Sequence, residues 1–319
     1  MRVVMGVIVI ALAAAAAPGE VTIEKHDDRY TVNIDGQLFT QYIFKGYDKP
    51  ILYPIIGPHG IPMTRNYPMK EGVEGEAKDH PHHKSLWFSH GNVNGVDFWA
   101  EKGKIVSPAA PTHDPEGEPL HIGGREFLRD GEGQFVAHQQ TWLRFGKIGT
   151  SRIIDVRVGM WGADALIFGD TKEGTMAIRT RPELEIRNGA KAVNSEGVTG
   201  KEIWGKRAKW VDYSSVVDGK TVGVAIFDHP SNPRHPTWWH ARDYGLIAAN
   251  PFGIHDFEKG QPKGAGDLKI AAGKSVTFRY RFVFHEGDAE QAGIAKMYEE
   301  YAGGATRGPG DQEVRAERP

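Results

Sequence analysis

The sequence predicts an all-β protein: a large antiparallel β-sandwich of the supersandwich kind, closed by one short C-terminal α-helix. Composition points there first, because 40 glycines and 19 prolines in 319 residues suit many short strands joined by turns. Apolar and polar residues also alternate through most of the structured-looking stretches, as in strands with one wet face. Finally, no motif recurs at a fixed period, which argues against a propeller or solenoid.

Taken in chain order, Met1-Arg2 is a short basic start and Val3 to Ala17 an uncharged apolar run ending in alanines. Residues 1–19 therefore read as a secretory signal; a retained anchor is the alternative, although the run is shorter than the ~20 residues a span needs. A periplasmic or extracellular protein without stable membrane insertion is expected. Residues 20–303 read as one β-sandwich domain. Val21–Glu24, Tyr30–Ile34 and Leu38–Phe44 alternate as strands, with Asp35-Gly36 as a hairpin turn between the last two. Gly149–Met160, Thr175–Ile186 and Val222–Phe227 follow, and Ser275–Phe284 is the strongest strand of all. Near the end, Asp288 and Gln291 form a capping-box pattern ahead of an apolar helical stripe of Ile294, Met297, Tyr298 and Tyr301. From 304 to 319 glycine, proline and charge read as a disordered tail.

Several function classes are excluded. Lys+Arg is 39 against 41 Asp+Glu, a net charge of -2, so there is no basic excess for nucleic acid. Cysteine is absent, and with it any disulfide framework. No G-x-G-x-x-G, P-loop, G-x-S-x-G or H-E-x-x-H pattern occurs, which removes the usual nucleotide and serine-hydrolase readings. Nothing in the sequence reports the oligomeric state.

Polar, aromatic and glycine-rich segments interrupt the strand pattern at 64–99, 169–179, 204–213 and 227–253. In the first, His80, His82, His83 and His90 fall within eleven positions, and Pro81 forbids a regular helix through them. Extended, His80 and His82 point to one side, a spacing that can chelate Zn, Cu, Fe or Ni. Glu76, Asp79, His229 or His240 could complete such a divalent-metal set. Histidines that merely hold loops by hydrogen bonds are the bland alternative. A metal-free reading makes His82, His83, His90, His229 or His240 one half of an acid–base pair, with Glu173 or Asp243 as the other. Trp87, Trp99, Trp204, Trp210, Trp238 and Trp239 offer flat apolar faces, though at least half should be core. Arg65, Asn94, Lys172, Arg179, Lys206, Arg207, Asn232, Arg242 and Asn250 offer hydrogen bonds between them. Aromatic platforms beside such groups suit a polyhydroxylated ring. Arg207 and Arg242, set among apolar residues, call for a carboxylate partner. Asp212 or Asp243 would supply it structurally, and a carboxylated or oxidised sugar functionally.

These segments, through the runs DHPHH-SLWF-HG-VNG-DFW, KEG, WGKRA-WVDY, DHP-N and RDYGL-ANPFG from about Tyr53 to Tyr301, resemble the bacterial family labelled PmoA. That label suggests a subunit of the membrane-bound methane monooxygenase, from which this chain departs in having no membrane-spanning run after the signal. In general character the family is similar to carbohydrate-processing supersandwich proteins of the galactose-mutarotase type. The resulting expectation is an exported enzyme acting as lyase, epimerase or hydrolase on a sugar or oxidised sugar derivative. A metal-dependent, oxidative enzyme using the His80/His82/His83 cluster and a non-catalytic glycan-binding protein are the alternatives. The four segments should converge over one cleft.

Overall fold

The computed structural model describes residues 20–113 and 121–304, so the expected signal and, apart from Gly304, the expected tail lie outside the described residues. Asp35 and Gly36 both adopt positive φ (55° and 71°), the conformation of a hairpin turn that matches strand twist. They join Arg29–Ile34 to Gln37–Ile43, and the alternation read from sequence becomes a buried edge of Tyr30, Val32 and Ile34.

Among the described residues the strands form two antiparallel sheets of nine each and a small pair, Leu166–Phe168 with Leu268–Ile270. In spatial order the first holds Val21–Lys25, Arg29–Ile34, Gln37–Ile43, Ile51–Ile55, Leu86–His90, Gly174–Arg179, Leu246–Asn250, Thr237–Ala241 and Arg207–Ala208. The second runs Lys191–Asn194, Trp210–Val217, Lys220–Asp228, Ser275–Glu286, Ser151–Trp161, Phe135–Ile148, His121–Arg129 and Lys104–Val106, with Thr112–His113 paired to the His121 strand. Their facing sides enclose the main core, in which Phe39, Phe88, Phe168, Tyr280, Phe282 and Phe284 are buried. Ser275–Glu286 lies in the middle of the second sheet, between Lys220–Asp228 and Ser151–Trp161.

Among the described residues two short α-helices are present, α1 (Ile254–Phe257) and α2 (Ile294–Gly303), rather than one. The reciprocal bonds of Asp288 and Gln291 form (3.0 and 3.1 Å), but they close the turn before α2. The helix itself starts after Gly293 in a left-handed conformation. Its Ile294, Tyr298 and Tyr301 bury against Ile153, Phe227 and Val283 on the outer face of the second sheet. The strand expected over Thr175–Ile186 ends at Arg179, because Pro182 opens a 3-10 turn. Among the described residues no helix is long and apolar enough to cross a membrane.

On that outer face Asp212 and His285, both fully buried, are bonded at 2.6 Å. Burial opposes charge on the ring, yet the Asp212 carboxylate raises His285 above its usual range. Gly223 lies beside the pair; a Cβ there would collide with the His285 ring (2.6 Å from Nε2) and stand 3.0 Å from Ser214 Cβ. Gly223→Ala is expected to cost about 1–3 kcal/mol by overpacking. Urea unfolding measures this, and an unchanged midpoint would show that the ring yields freely.

Candidate functional site

Outward-facing residues of the first sheet build the floor. Trp87 and Ser89 alternate outward on their strand while Phe88 and His90 point into the core. Ala177 lies opposite Trp87 and Ala248, and His240 lies opposite Ala248. Trp87, Trp99, Ala177, Leu246 and Ala248 pack as a separate buried cluster, bordered by Tyr47, Tyr53 and Tyr244. Small residues in the middle strands and large rings at the margin make this face concave in chemistry: apolar floor, polar rim.

One wall is the long connection between Ile51–Ile55 and Leu86–His90. It is tied to the end of the Gly174–Arg179 strand, since Arg65 N–H donates to the Arg179 carbonyl and Arg179 N–H to that of Ser85. Arg65 and Arg179 are 1% and 0% exposed, and both hold Asp79, at 2.5 and 3.0 Å. Arg65 spends its other donors on the carbonyls of Tyr67, Ala77 and His80. Burial alone would raise Asp79, but Arg179 and Arg65 hold its carboxyl at about 2. These arginines therefore brace the histidine loop from beneath, with Arg179 Nε left as a buried donor without a partner. Backbone strain collects in the same place, with positive φ at His80, Ser85 and Glu101.

The braced loop presents a stack. Tyr244 lies on His80 (5.2 Å, 10°), His80 on His83 (4.7 Å, 9°) and His83 on Trp87 (5.4 Å, 21°). Arg179 donates to His83 Nδ1 at 3.2 Å, and a guanidinium only donates, so the proton of the neutral ring sits on Nε2. Burial, with His82 and Arg179 beside it, keeps His83 well below the usual imidazole range. Half-buried His82 is lowered to about 4 by burial and by Lys49. Lys49, itself pushed down to about 8 by burial, bonds Glu101 at 2.6 Å and the His82 carbonyl at 2.9 Å. Lys84 shares Glu101.

A second wall is the Thr171–Glu173 turn. His240 Nδ1 donates to the Lys172 carbonyl at 2.8 Å, which leaves Nε2 as a bare lone pair with no hydrogen-bond partner. Burial lowers His240 to about 3. Asn250 holds the same turn through the Thr171 carbonyl, so it positions rather than binds. Lys172 and Glu173 are 41% and 34% exposed and form an ion pair of 3.3 Å. Arg242 lies over the Tyr244 ring. Tyr244, whose phenol is raised by burial with Glu173 and Asp79 among the contributing charges, thus stands between the two walls. Sequence reading passed over it; its place in the turn before Gly245, between two strands of this face, is the signal that could have found it. Lys49, Lys84 and Glu101 were also passed over.

Other expected residues are elsewhere. His90 sits between the sheets against Phe168 and Phe252, with Nε2 on the Gly169 carbonyl. His229 and Asn232 belong to the second sheet: Asn232 bonds Asp228 and the Arg279 carbonyl, and His229 packs on Tyr301 of α2. Asn94 closes a loop onto Ala165 and Ile167. Arg207 lies on the edge strand over Trp238, bonded to the carbonyls of Arg234 and Pro236, and Lys206 beside it is exposed. The four segments therefore do not all converge; the first and second do, with the Thr237–Asn250 hairpin from the last. The His80/His82 metal expectation meets a poor fit. Glu76 is spent on the N–H groups of Asn66 and Tyr67 and Asp79 on two arginines, while the His80 and His82 rings stand 5.8 Å apart at 77°. Among the described residues no group of three or more His, Asp or Glu side chains is placed to hold a metal.

Comparison with known proteins gives distant likenesses in architecture. A galactose mutarotase related enzyme from Lactobacillus acidophilus is 10% identical, with 83% of this chain and 97% of that one covered and a TM-score of 0.34. A galactose mutarotase-like protein from Clostridium acetobutylicum is 8% identical, covering 85% and 99%, with a TM-score of 0.42. The alpha-galactosidase from Lactobacillus brevis is 9% identical over 86% of this chain, which spans 40% of that protein, with a TM-score of 0.35. At these identities and scores none of them bears on chemistry. No curated protein matches. A family model does match, over residues 29–299, and the chain belongs to that family, a family of unknown function designated DUF6807.

Proposed function

We propose that this protein is an exported carbohydrate-active enzyme whose outer sheet face binds a sugar and moves protons on it. The observation that carries the reading is His240: its Nδ1 proton is committed to the Lys172 carbonyl, so a neutral ring offers Nε2 to the cleft as a proton acceptor. His82, also neutral at pH 7 because burial lowers it to about 4, is the second acceptor. Glu173, on the turn that His240 anchors, exchanges the partner proton in this reading. Tyr244, half-buried at the border of the Trp87 and Trp99 cluster, supplies the apolar surface on which a pyranose ring rests, and Lys172 and Arg242 supply donors at the rim. Lyase, epimerase and hydrolase chemistry all use such a pair.

The test is turnover on a panel of neutral and oxidised glycosides, followed by the product's NMR spectrum. His240→Gln and Glu173→Gln are each expected to lower kcat by about 100-fold, the scale of a lost general acid or base, with the circular dichroism spectrum unchanged. Full activity in both variants would defeat the assignment. Saturable binding of a glycoside that is recovered unchanged would make the protein a glycan-binding one.

A further inference from the structure

The floor of the face has donors without acceptors. Trp87 Nε1, Trp99 Nε1 and His83 Nε2 are all buried and make no hydrogen bond, although each residue is only 1% exposed. Both indoles are donors only, and the Arg179 bond fixes the His83 proton on Nε2. The rings lie together: Trp87 and Trp99 are 5.2 Å apart, and His83 is 5.4 Å from Trp87 and 5.5 Å from Trp99. One step along the same face, Ser89 and Thr175 are cross-strand neighbours, and their hydroxyls are buried and unpartnered as well. Buried polar groups in folded proteins are nearly always paired. What would pair these is an acceptor, and every orphan in the patch can donate.

We propose that His83, Trp87 and Trp99, flanked by Ser89 and Thr175, form a recess for an oxyanion, and that the sugar taken by this face is acidic, its carboxylate seated there. This rests on the carbohydrate reading and narrows it to uronates and aldonates. Neutral N–H groups serve an anion well in such a place, because hydrogen bonds to a charged acceptor are about twice as strong as neutral ones and water does not compete. They also reject a neutral hydroxymethyl group only weakly, so discrimination comes from the carboxylate itself.

The experiment is calorimetric titration of the purified protein with D-glucuronate and D-galacturonate beside D-glucose and D-galactose, with tryptophan fluorescence read in parallel. A uronate is expected to bind at least about tenfold more tightly than its neutral counterpart, the scale of one charge-assisted hydrogen bond. Trp99→Phe and Trp87→Phe, which remove one N–H and keep an apolar ring, are each expected to weaken uronate binding about tenfold, a larger loss than either causes for the neutral sugar. Equal affinity for acid and neutral sugar overturns the recess, as does unaltered uronate binding in both variants or no saturable uronate binding at all. If a variant fails to fold, the wild-type comparison of acid with neutral sugar decides. A neutral sugar turned over through His240, with its uronate bound no more tightly, would remove the recess and leave the enzyme reading standing. Tight uronate binding without turnover would do the reverse.

Discussion

Asp79→Asn is expected to destabilise the fold by about 3 kcal/mol at pH 7, the low end of what breaking a buried ion pair costs. Two guanidiniums that are 1% and 0% exposed share this carboxylate, and the variant would leave both without their principal counter-charge. The low end applies because Asp79 is itself 36% exposed, so water screens part of the loss. Arg65 also keeps its carbonyl partners, and Arg179 keeps Glu185 at 3.9 Å. The pH dependence follows from Asp79 lying at about 2 in the folded protein against 3.8 unfolded. Its contribution is complete above pH 3.8 and is lost as pH falls through about 2. The urea midpoints of wild type and variant should therefore differ by a constant amount from pH 8 to pH 5 and approach each other towards pH 2. His82 and His240, depressed to about 4 and about 3, make both proteins weaken below pH 6.5, where the unfolded chain takes up protons first, so that effect cancels in the difference. A gap of less than about 1 kcal/mol at pH 7 would mean that the arginines do not depend on Asp79. Because Arg179 also fixes the His83 tautomer, the same substitution should loosen the stacked histidines above it.

How far the site could be read in advance depended on which physical signal each residue left. Alternation is visible where one face of a strand is wet, as in Arg29–Ile34 with its buried Tyr30, Val32 and Ile34 and in the first half of Ser275–Glu286 with its buried Val276 and Phe278, whereas Tyr280–His285 are buried on both faces. In Leu86–His90 every residue is buried, because the core covers one face and the site's own rings the other. No periodicity then separates Trp87, which lines the site, from His90, which does not. Pairing between distant strands is equally silent: His229 and Asn232 follow Asp228 onto the second sheet beside Arg279, while His240, eleven positions on, reaches the first. Buried arginines were rightly expected to need carboxylates, but Arg207 proved exposed and the buried pair is Arg65 and Arg179. Their shared Asp79 is 100 residues from Arg179, a separation at which sequence gives no hint of contact.

Glu126→Gln is expected to stabilise the protein by about 3 kcal/mol at pH 8 and to leave it unchanged at pH 4. Glu126 faces the core from the His121–Arg129 strand and is 0% exposed. Tyr42 donates to one carboxyl oxygen at 3.2 Å and Thr141 to the other at 3.1 Å. Burial raises the group from 4.5 to about 7 in spite of those bonds. Below pH 4.5 the side chain is protonated in the folded and unfolded chains alike, and it carries no penalty. Between 4.5 and 7 the unfolded chain releases the proton while the folded one retains it, so stability falls as pH rises, and above pH 7 the loss is complete. The interval from 4.5 to about 7 corresponds to about 3 kcal/mol. Glutamine keeps the shape and accepts a hydrogen bond from one hydroxyl without ever ionising, so the variant should follow the acid form at every pH. Chemical unfolding at pH 4, 6 and 8 measures the difference. A variant no more stable than wild type at pH 8 would show that the core hydrates the carboxylate, whereas the expected rise would identify Glu126 as a group that the fold tolerates at neutral pH at a cost in stability.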